Sequence, residues 1–86
     1  MNEKLEVGQC VRAIYEHDSN SDIVGKTGKV ISTRDTVDNT QYITIEFDEP
    51  IRRGHRGYDG AGKNGHCWNI PAYKVEKYNS YKVDII

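Results

Sequence analysis

The sequence has few of the residues that mark secreted, membrane-spanning or zinc-binding proteins. Its 86 residues include only two cysteines, Cys10 and Cys67, and no C-x2-C pair, which excludes a disulfide-rich scaffold and the usual zinc-finger spacing. No apolar run approaches the roughly 18 residues that cross a bilayer, and the polar start MNEKLE lacks the apolar region of a signal peptide. We therefore expect a cytoplasmic protein that does not contact membranes and keeps both thiols reduced, although a single Cys10–Cys67 bridge stays open.

The chain also lacks a strong net charge, but its positive and negative residues are unevenly distributed along the sequence. Residues 1–50 hold five Lys or Arg against ten Asp or Glu, a net of −5, whereas residues 51–86 hold seven against three, a net of +4. A general nucleic-acid binder is expected to be basic as a whole, so this balance argues against that class. It still allows a local cationic patch that attracts an anionic partner.

Length and composition predict one small domain spanning residues 1–86, with residues 1–6 and 79–86 as candidate peripheral segments. A chain of this length buries roughly 60–65% of the surface that it exposes when unfolded. Only 36% of the residues are hydrophobic, which is enough for a thin core. We expect no second domain.

Short β-strands alternate with turn-forming segments along the chain. The clearest strand is Gln41–Phe47, in which apolar side chains alternate with polar ones as they do in a half-buried antiparallel strand. The segment EHDSNSD, residues 16–22, predicts a solvated loop. Further strands are predicted at residues 10–15, 29–34, 66–70 and 74–78, with a hairpin turn at 35–40, a single helical turn at 71–73, and a final segment, 81–86, that either extends the last strand or frays.

A glycine-rich and arginine-rich stretch interrupts this pattern between the third and fourth predicted strands. Five of the eight glycines lie in residues 52–66, which we call the cationic loop. Ordering such a chain costs about 1–2 kcal/mol per residue, so the loop should either fold back on the sheet or become ordered on a partner. We expect partial packing, with Tyr58 and Trp68 as anchors and the arginines pointing outward.

Three short motifs accompany the first three strands. They are Val7-Gly8-Gln9-Cys10-Val11-Arg12, Gly25-Lys26-Thr27-Gly28-Lys29-Val30 and Ile45-Glu46-Phe47-Asp48. Together they resemble a bacterial subgroup of the Src-homology-3-like barrels. The end of the cationic loop, in a "G-H … G-H-x-W-x-x-P" arrangement, is similar to small bacterial and phage-encoded proteins of unassigned function that carry this segment on the same barrel.

The resemblance implies a small all-β, five-stranded Src-homology-3-like barrel with a long Gly/Arg-rich loop between strands three and four. It also implies a phage or mobile-element origin. Some members of the class bind RNA or protein through the loop after the first strand. Here that loop carries Glu16, Asp18 and Asp22, which departs from a phosphate-facing surface. Fold alone does not assign an activity.

The function that we predict is a non-enzymatic interaction module that presents the cationic loop to a macromolecular partner. A protein partner is expected first and nucleic acid second, and no cofactor is expected. The presented surface combines cations with aromatic and imidazole rings. The predicted binding residues are Arg52, Arg53, His55, Arg56, Tyr58, Lys63, His66, Trp68 and Tyr73.

Two alternatives use the same stretch of chain. Residues Arg52–Lys63, with Tyr58 among the cations, could bind nucleic acid by phosphate contacts and base stacking. A structural zinc ion is the second alternative, because Cys and His are ligand types of tetrahedral zinc sites. Adjacent strand residues point to opposite faces, however, so His66 and Cys67 argue against a shared ion. The candidate zinc ligands are Cys10, His55, His66 and Cys67.

Catalysis is a weaker interpretation of these residues. Cys67 with His55 or His66 could be drawn as a nucleophile pair, but no third orienting residue or oxyanion motif accompanies them. The Gly60-x-Gly62-x-x-Gly65 spacing matches a dinucleotide motif only by chance, since no βαβ unit surrounds it. We therefore predict that the protein is not an enzyme.

Overall fold

A computed structural model shows an all-β domain, as predicted, and describes residues 4–78. All neighbouring strands pair antiparallel. The strands are β1 (Cys10–Ala13), β2 (Thr27–Asp35), β3 (Gln41–Phe47), β4 (Cys67–Pro71) and β5 (Val75–Lys77), and two 3-10 helices span Ser21–Ile23 and Ala72–Lys74. No helix in residues 4–78 is long and apolar enough to cross a membrane.

The five strands form one sheet in the order β4-β3-β2-β1-β5. A flat sheet would separate the two end strands by about 19 Å, which is four spacings of about 4.8 Å. Only the 3-10 helix Ala72–Lys74 connects β4 to β5, and the four Cα steps from Pro71 to Val75 span at most about 14 Å. The sheet is therefore strongly curled.

The curled sheet is not closed by hydrogen bonds, which differs from the predicted closed barrel. Within residues 4–78, the ladder of β4 runs along β3 and that of β5 along β1, and no ladder joins β4 to β5. Two features account for this. Pro71 ends β4 without a backbone N–H, and β5 has only three residues.

The core lies on the side of the sheet that the alternation in β3 predicted. Ile43, Ile45 and Phe47 are buried there, and Trp68 packs into the same cluster. Burial of this apolar surface is the main stabilising contribution in so small a domain. The full cluster is Leu5, Val11, Ala13, Ile23, Val30, Ile43, Ile45, Phe47, Ile51, Trp68, Ile70 and Val75.

Leu5 belongs to this core although residues 1–6 were a candidate peripheral segment. The side-chain amide of Gln41 holds it by two hydrogen bonds. Leu5 N donates to Gln41 Oε1 at 2.9 Å, and Gln41 Nε2 donates to Leu5 O at 2.8 Å. Because the amide group pairs as a neighbouring strand would, the start of the described chain is fixed next to β3 without a sixth strand.

Residues 16–22 form a mostly exposed loop, with one departure from the prediction. This segment was expected to be a solvated loop, yet it leads into the 3-10 helix Ser21–Ile23 and its Asn20 is almost fully buried. β1 also ends at Ala13, two residues earlier than predicted, which leaves Tyr15 exposed. The prediction for residues 81–86 lies outside the described part of the chain.

Candidate functional site

The cationic loop lies against the face of the sheet opposite the core. Thr44 on β3 and Cys67 on β4 point to that face, and Gly57 approaches both of them and Ile31 of β2. Thr44 and Cys67 are buried as a result. The loop therefore covers the part of this face around Ile31, Thr44 and Cys67.

Two glycines allow this close approach. Gly57 has a φ of +94°, which an L side chain rarely adopts, and a Cβ there would lie 3.1 Å from Thr44 Cγ2. At Gly62 a Cβ would collide with Cys67 Sγ and would stand 2.8 Å from Ile31 Cδ1. The glycine content of the loop thus serves packing on the sheet as well as turns.

Hydrogen bonds hold the backbone of the loop in place. His55 and Cys67 exchange a pair of backbone hydrogen bonds, both 3.1 Å long, so His55 extends the sheet beyond β4. Gly62 N donates to Arg56 O at 2.7 Å, and Lys63 N donates to Glu46 Oε1 at 3.0 Å. The backbone positions from which the loop's cations project are consequently set by the fold.

The acidic segment 16–22 is attached to the beginning of the cationic loop. Asn20 Nδ2 donates to Arg52 O at 2.8 Å, and Asp22 Oδ2 accepts from Arg52 N at 2.9 Å. The Arg52 backbone hydrogen bond, together with one from Lys26, lowers the pKa of Asp22 below its ordinary value. The acidic segment thus holds the start of the cationic loop through its backbone.

Trp68 and His66 are buried and lie outside the exposed surface of the loop. Trp68 Nε1 donates to His17 O at 3.0 Å, and the His55 ring stacks on the indole with centroids 5.4 Å apart. His66 is buried with Nδ1 2.8 Å from Phe47 O. Both side chains were candidate binding residues, and the structure buries both of them.

The remaining candidates of the cationic loop divide into outward cations and half-covered groups. Arg52, Arg56 and Lys63 are exposed, and within residues 4–78 their side chains form no ion pair or hydrogen bond. Arg53 is exposed too, but its Nη2 donates to Asp18 O at 3.0 Å and its guanidinium lies 5.3 Å from the Trp68 ring centroid. His55 is half-buried.

Two exposed tyrosines complete the predicted set. Tyr58, at the outer part of the cationic loop, is 63% exposed, so it does not anchor the loop by burial; the approach of Gly57 and Gly62 to the sheet does this instead. Tyr73 is 67% exposed on the 3-10 helix Ala72–Lys74, outside the loop. An exposed ring of this kind can stack on a ligand group.

Sequence reasoning missed one residue of this surface, Arg34 on β2. Its guanidinium carbon lies 4.5 Å from the ring centroid of Tyr58 and 5.3 Å from that of Tyr42. The structure pairs Arg34 with Tyr42, one residue away from the register that the predicted strand ends, Arg34 and Gln41, would give. The contact with Tyr58 could not have been inferred from the sequence, because it depends on how the cationic loop folds back.

The candidate zinc ligands do not come together as a site. Within the described range 4–78, no three His, Cys, Asp or Glu side chains are grouped so that they could hold a metal ion. His55 Nδ1 accepts from Gly57 N at 2.9 Å, and Cys67 Sγ donates to Lys63 O at 3.6 Å. Both cysteines are thiols.

Cys67 is also poorly suited to be a nucleophile. Burial raises the pKa of its thiol, and the nearby Glu46 carboxylate adds to this effect. The reactive form of cysteine is the thiolate, which such surroundings disfavour. The structure thus gives the thiol a packing role beneath Gly62.

Comparison with known proteins identifies no family. No family model, no curated protein and no solved structure matches this chain. Any function proposed for the chain has to be argued from its own residues.

Proposed function

We propose that this protein is a non-enzymatic interaction module that contacts an acidic region of a protein partner through its cationic loop. The observation that carries the proposal is the combination of a fixed loop backbone with exposed Arg52, Arg56 and Lys63 side chains that form no ion pair within residues 4–78. Cations already held by the fold need little backbone ordering on binding, and they attract an anionic partner over several ångströms.

We also propose that the domain is a Src-homology-3-like barrel whose last edge is left open. The strand order β4-β3-β2-β1-β5 and the single 3-10 helix between β4 and β5 support this assignment. A bacterial or phage origin and a cytoplasmic location are proposals that rest on the sequence alone.

Nucleic acid is the second candidate partner, and the exposed Tyr58 ring beside Arg34 favours it. Bases of a single strand can stack on such a ring while phosphates contact the cations. A nucleic-acid backbone, however, carries a charge at every nucleotide and would meet Asp18, Asp22 and Asp59 next to the cations. The acidic side chains of a protein can be few and placed away from those carboxylates, so protein is proposed first.

A pull-down from bacterial lysate, with and without nuclease, tests the proposed function. The native chain is compared with the triple variant Arg52→Ala, Arg56→Ala, Lys63→Ala. The control, Lys4→Ala, Lys29→Ala, Lys77→Ala, removes the same charge elsewhere. We expect proteins that survive nuclease treatment to be captured by the native chain and the control and to be lost with the loop variant, because only that variant removes the proposed contact.

Two results would contradict the proposal. If both triple variants capture the same proteins as the native chain, the cationic loop is not the contact surface. If capture by the native chain disappears on nuclease treatment, nucleic acid replaces protein as the partner.

A further inference from the structure

Arg34 lies where three separate parts of the chain meet on the outer face of the sheet. It projects from β2, the Tyr42 ring comes from β3, and the Tyr58 ring comes from the cationic loop. The guanidinium carbon is within 6 Å of both ring centroids, which is the range of favourable cation–π contacts. Two rings thus restrict the orientation of one exposed guanidinium.

The hydrogen-bonding groups of Arg34 are not used by the fold. Within the described part of the chain, no carboxylate or carbonyl oxygen accepts a hydrogen bond from its guanidinium. An arginine has five N–H donors and no acceptor, so stacking on rings leaves its donor edges directed at solvent. Arg34 therefore keeps its whole hydrogen-bonding capacity for a ligand.

Arg12 shows what a structural arginine of the same kind does in this protein. It also projects from a strand and lies over a tyrosine, with its guanidinium carbon 4.7 Å from the Tyr78 ring centroid. Its Nη1, however, donates to Glu76 Oε2 at 3.1 Å. The fold supplies a carboxylate to Arg12 and none to Arg34. Arg12 can therefore serve as a matched control for Arg34.

The geometry of Arg34 indicates which kind of chemical group it would bind. A planar guanidinium whose orientation is fixed presents two parallel N–H groups, which match the two oxygens of a carboxylate. A second exposed cation, Arg56, is one residue from Gly57, which itself packs on Ile31 of the same strand as Arg34. Arg34 and Arg56 thus lie on segments that pack against each other on this face of the sheet.

We infer that Arg34 is the specificity-determining contact of this module: it receives the carboxylate of an aspartate or glutamate from the protein partner, and Tyr42 and Tyr58 are positioning residues that orient its guanidinium. The inference rests on the proposed function, and it adds a contact that lies outside the cationic loop. The loop cations attract the partner over long range, and Arg34 recognises one of its carboxylates.

Fluorescence anisotropy with the full chain tests this assignment. The probes are a fluorescein-labelled oligoglutamate peptide and a labelled oligodeoxythymidylate of equal charge, each at low and at physiological salt. Arg34→Lys keeps the charge but loses the planar donors, and we expect it to weaken peptide binding about tenfold. Arg12→Lys is the matched control and should bind the peptide as the native chain does.

Variants of Tyr58 test whether its ring orients the Arg34 guanidinium or only packs in the fold. Tyr58→Ala removes one ring and should weaken peptide binding about threefold, the size of an exposed cation–π contact. Tyr58→Phe keeps the ring and should bind as the native chain does. Equal binding by Tyr58→Ala and the native chain would remove the positioning role.

The outcomes distinguish this inference from the proposed function. If the loop triple variant binds the peptide as well as the native chain, the proposed function fails. If the loop variant is weakened but Arg34→Lys is not, or if Arg34→Lys and Arg12→Lys are weakened alike, the assignment of Arg34 fails alone. Binding of the oligonucleotide with no binding of the peptide, or no binding of either probe, also overturns the assignment.

Discussion

His17 is a residue at which a positive charge would disturb several contacts. Its Nδ1 lies 3.1 Å from Lys74 Nζ, its ring meets the edge of Tyr42, and its backbone oxygen accepts the Trp68 indole N–H. Burial lowers the pKa of His17 below 6.5; Lys74 lowers it further, and Asp18 opposes the shift. A neutral ring is therefore part of the folded structure.

A decrease in stability on mild acidification follows from this pKa. Because the unfolded chain takes up the proton at a higher pH than the folded one, the free energy of unfolding should fall as pH drops through about 6.5 toward the folded pKa. Urea titrations followed by Trp68 fluorescence at about pH 7.5 and about pH 5.5 measure the change. His17→Gln should show a smaller decrease.

The comparison with His17→Gln isolates this one group. His55 and His66 are present in both proteins, so any effect of theirs cancels. The Asp22 and Asp38 carboxylates, whose pKa values are lowered by hydrogen bonds, titrate below about pH 4 and do not contribute in this range. An equal decrease in the native chain and in His17→Gln would contradict the prediction.

At the scale of the element, the cationic loop is the cover of one face of the sheet. The inner side of the loop is a packed layer, since Gly57 and Gly62 bring the loop backbone onto Ile31, Thr44 and Cys67. The loop therefore combines two roles. Its inner side stabilises the sheet, and its outer side presents the cations.

Replacement of Gly62 tests the packing role. Gly62→Ala places a Cβ against Cys67 Sγ and Ile31 Cδ1, and we expect it to lower the free energy of unfolding by about 1–3 kcal/mol. Ala61→Ser, at the exposed neighbouring position, should change it by no more than about 0.5 kcal/mol. Urea unfolding followed by Trp68 fluorescence measures both.

Thiol labelling of the native protein is a second test of whether the loop covers Cys67. Cys67 should react with a thiol reagent more slowly than the half-buried Cys10, because its side chain is buried and its pKa is raised. Gly62→Ala should speed the reaction of Cys67 and leave that of Cys10 unchanged. Unaltered stability together with unaltered labelling would show that the loop does not cover Cys67.

At the scale of the whole molecule, one core joins the first described residues to the last strand. Leu5, held by Gln41, packs in the same cluster as Ile51 at the start of the loop connection and Val75 on β5. The acidic segment is joined to the cationic loop through Asn20. No part of residues 4–78 has a separate core.

Unfolding should therefore be a single cooperative transition. Urea curves recorded by Trp68 fluorescence, which is sensitive to the loop and the core, and by far-UV circular dichroism, which is sensitive to the sheet, should coincide. A fluorescence change at lower urea than the dichroism change would show that the cationic loop detaches before the sheet unfolds.

The local sequence pattern was sufficient to predict where strands form. β3 runs from Gln41 to Phe47 as predicted, and the 3-10 helix after β4 appears one residue from its predicted place. Alternation of side chains with period two is a property of neighbouring residues, so a sequence carries it directly. For the same reason the buried row Ile43, Ile45 and Phe47 could be named without coordinates.

Which side chains form the exposed surface depends on contacts between segments that are far apart in the chain. A local sequence pattern does not contain these contacts. Burial of Asn20 depends on Arg52, and the position of Arg34 between two rings depends on Tyr58, 24 positions further along the chain. Trp68 was named both as an anchor of the loop and as part of the presented surface, because an aromatic residue next to a cationic loop has the same sequence signature whether it is exposed or buried; the structure buries it in the core. The sequence by itself determined the β-strands, the face that forms the core and the presence of a cationic loop. The tertiary structure decided which side chains of that loop support the fold and which remain available, because that choice is made by packing between elements far apart in the chain.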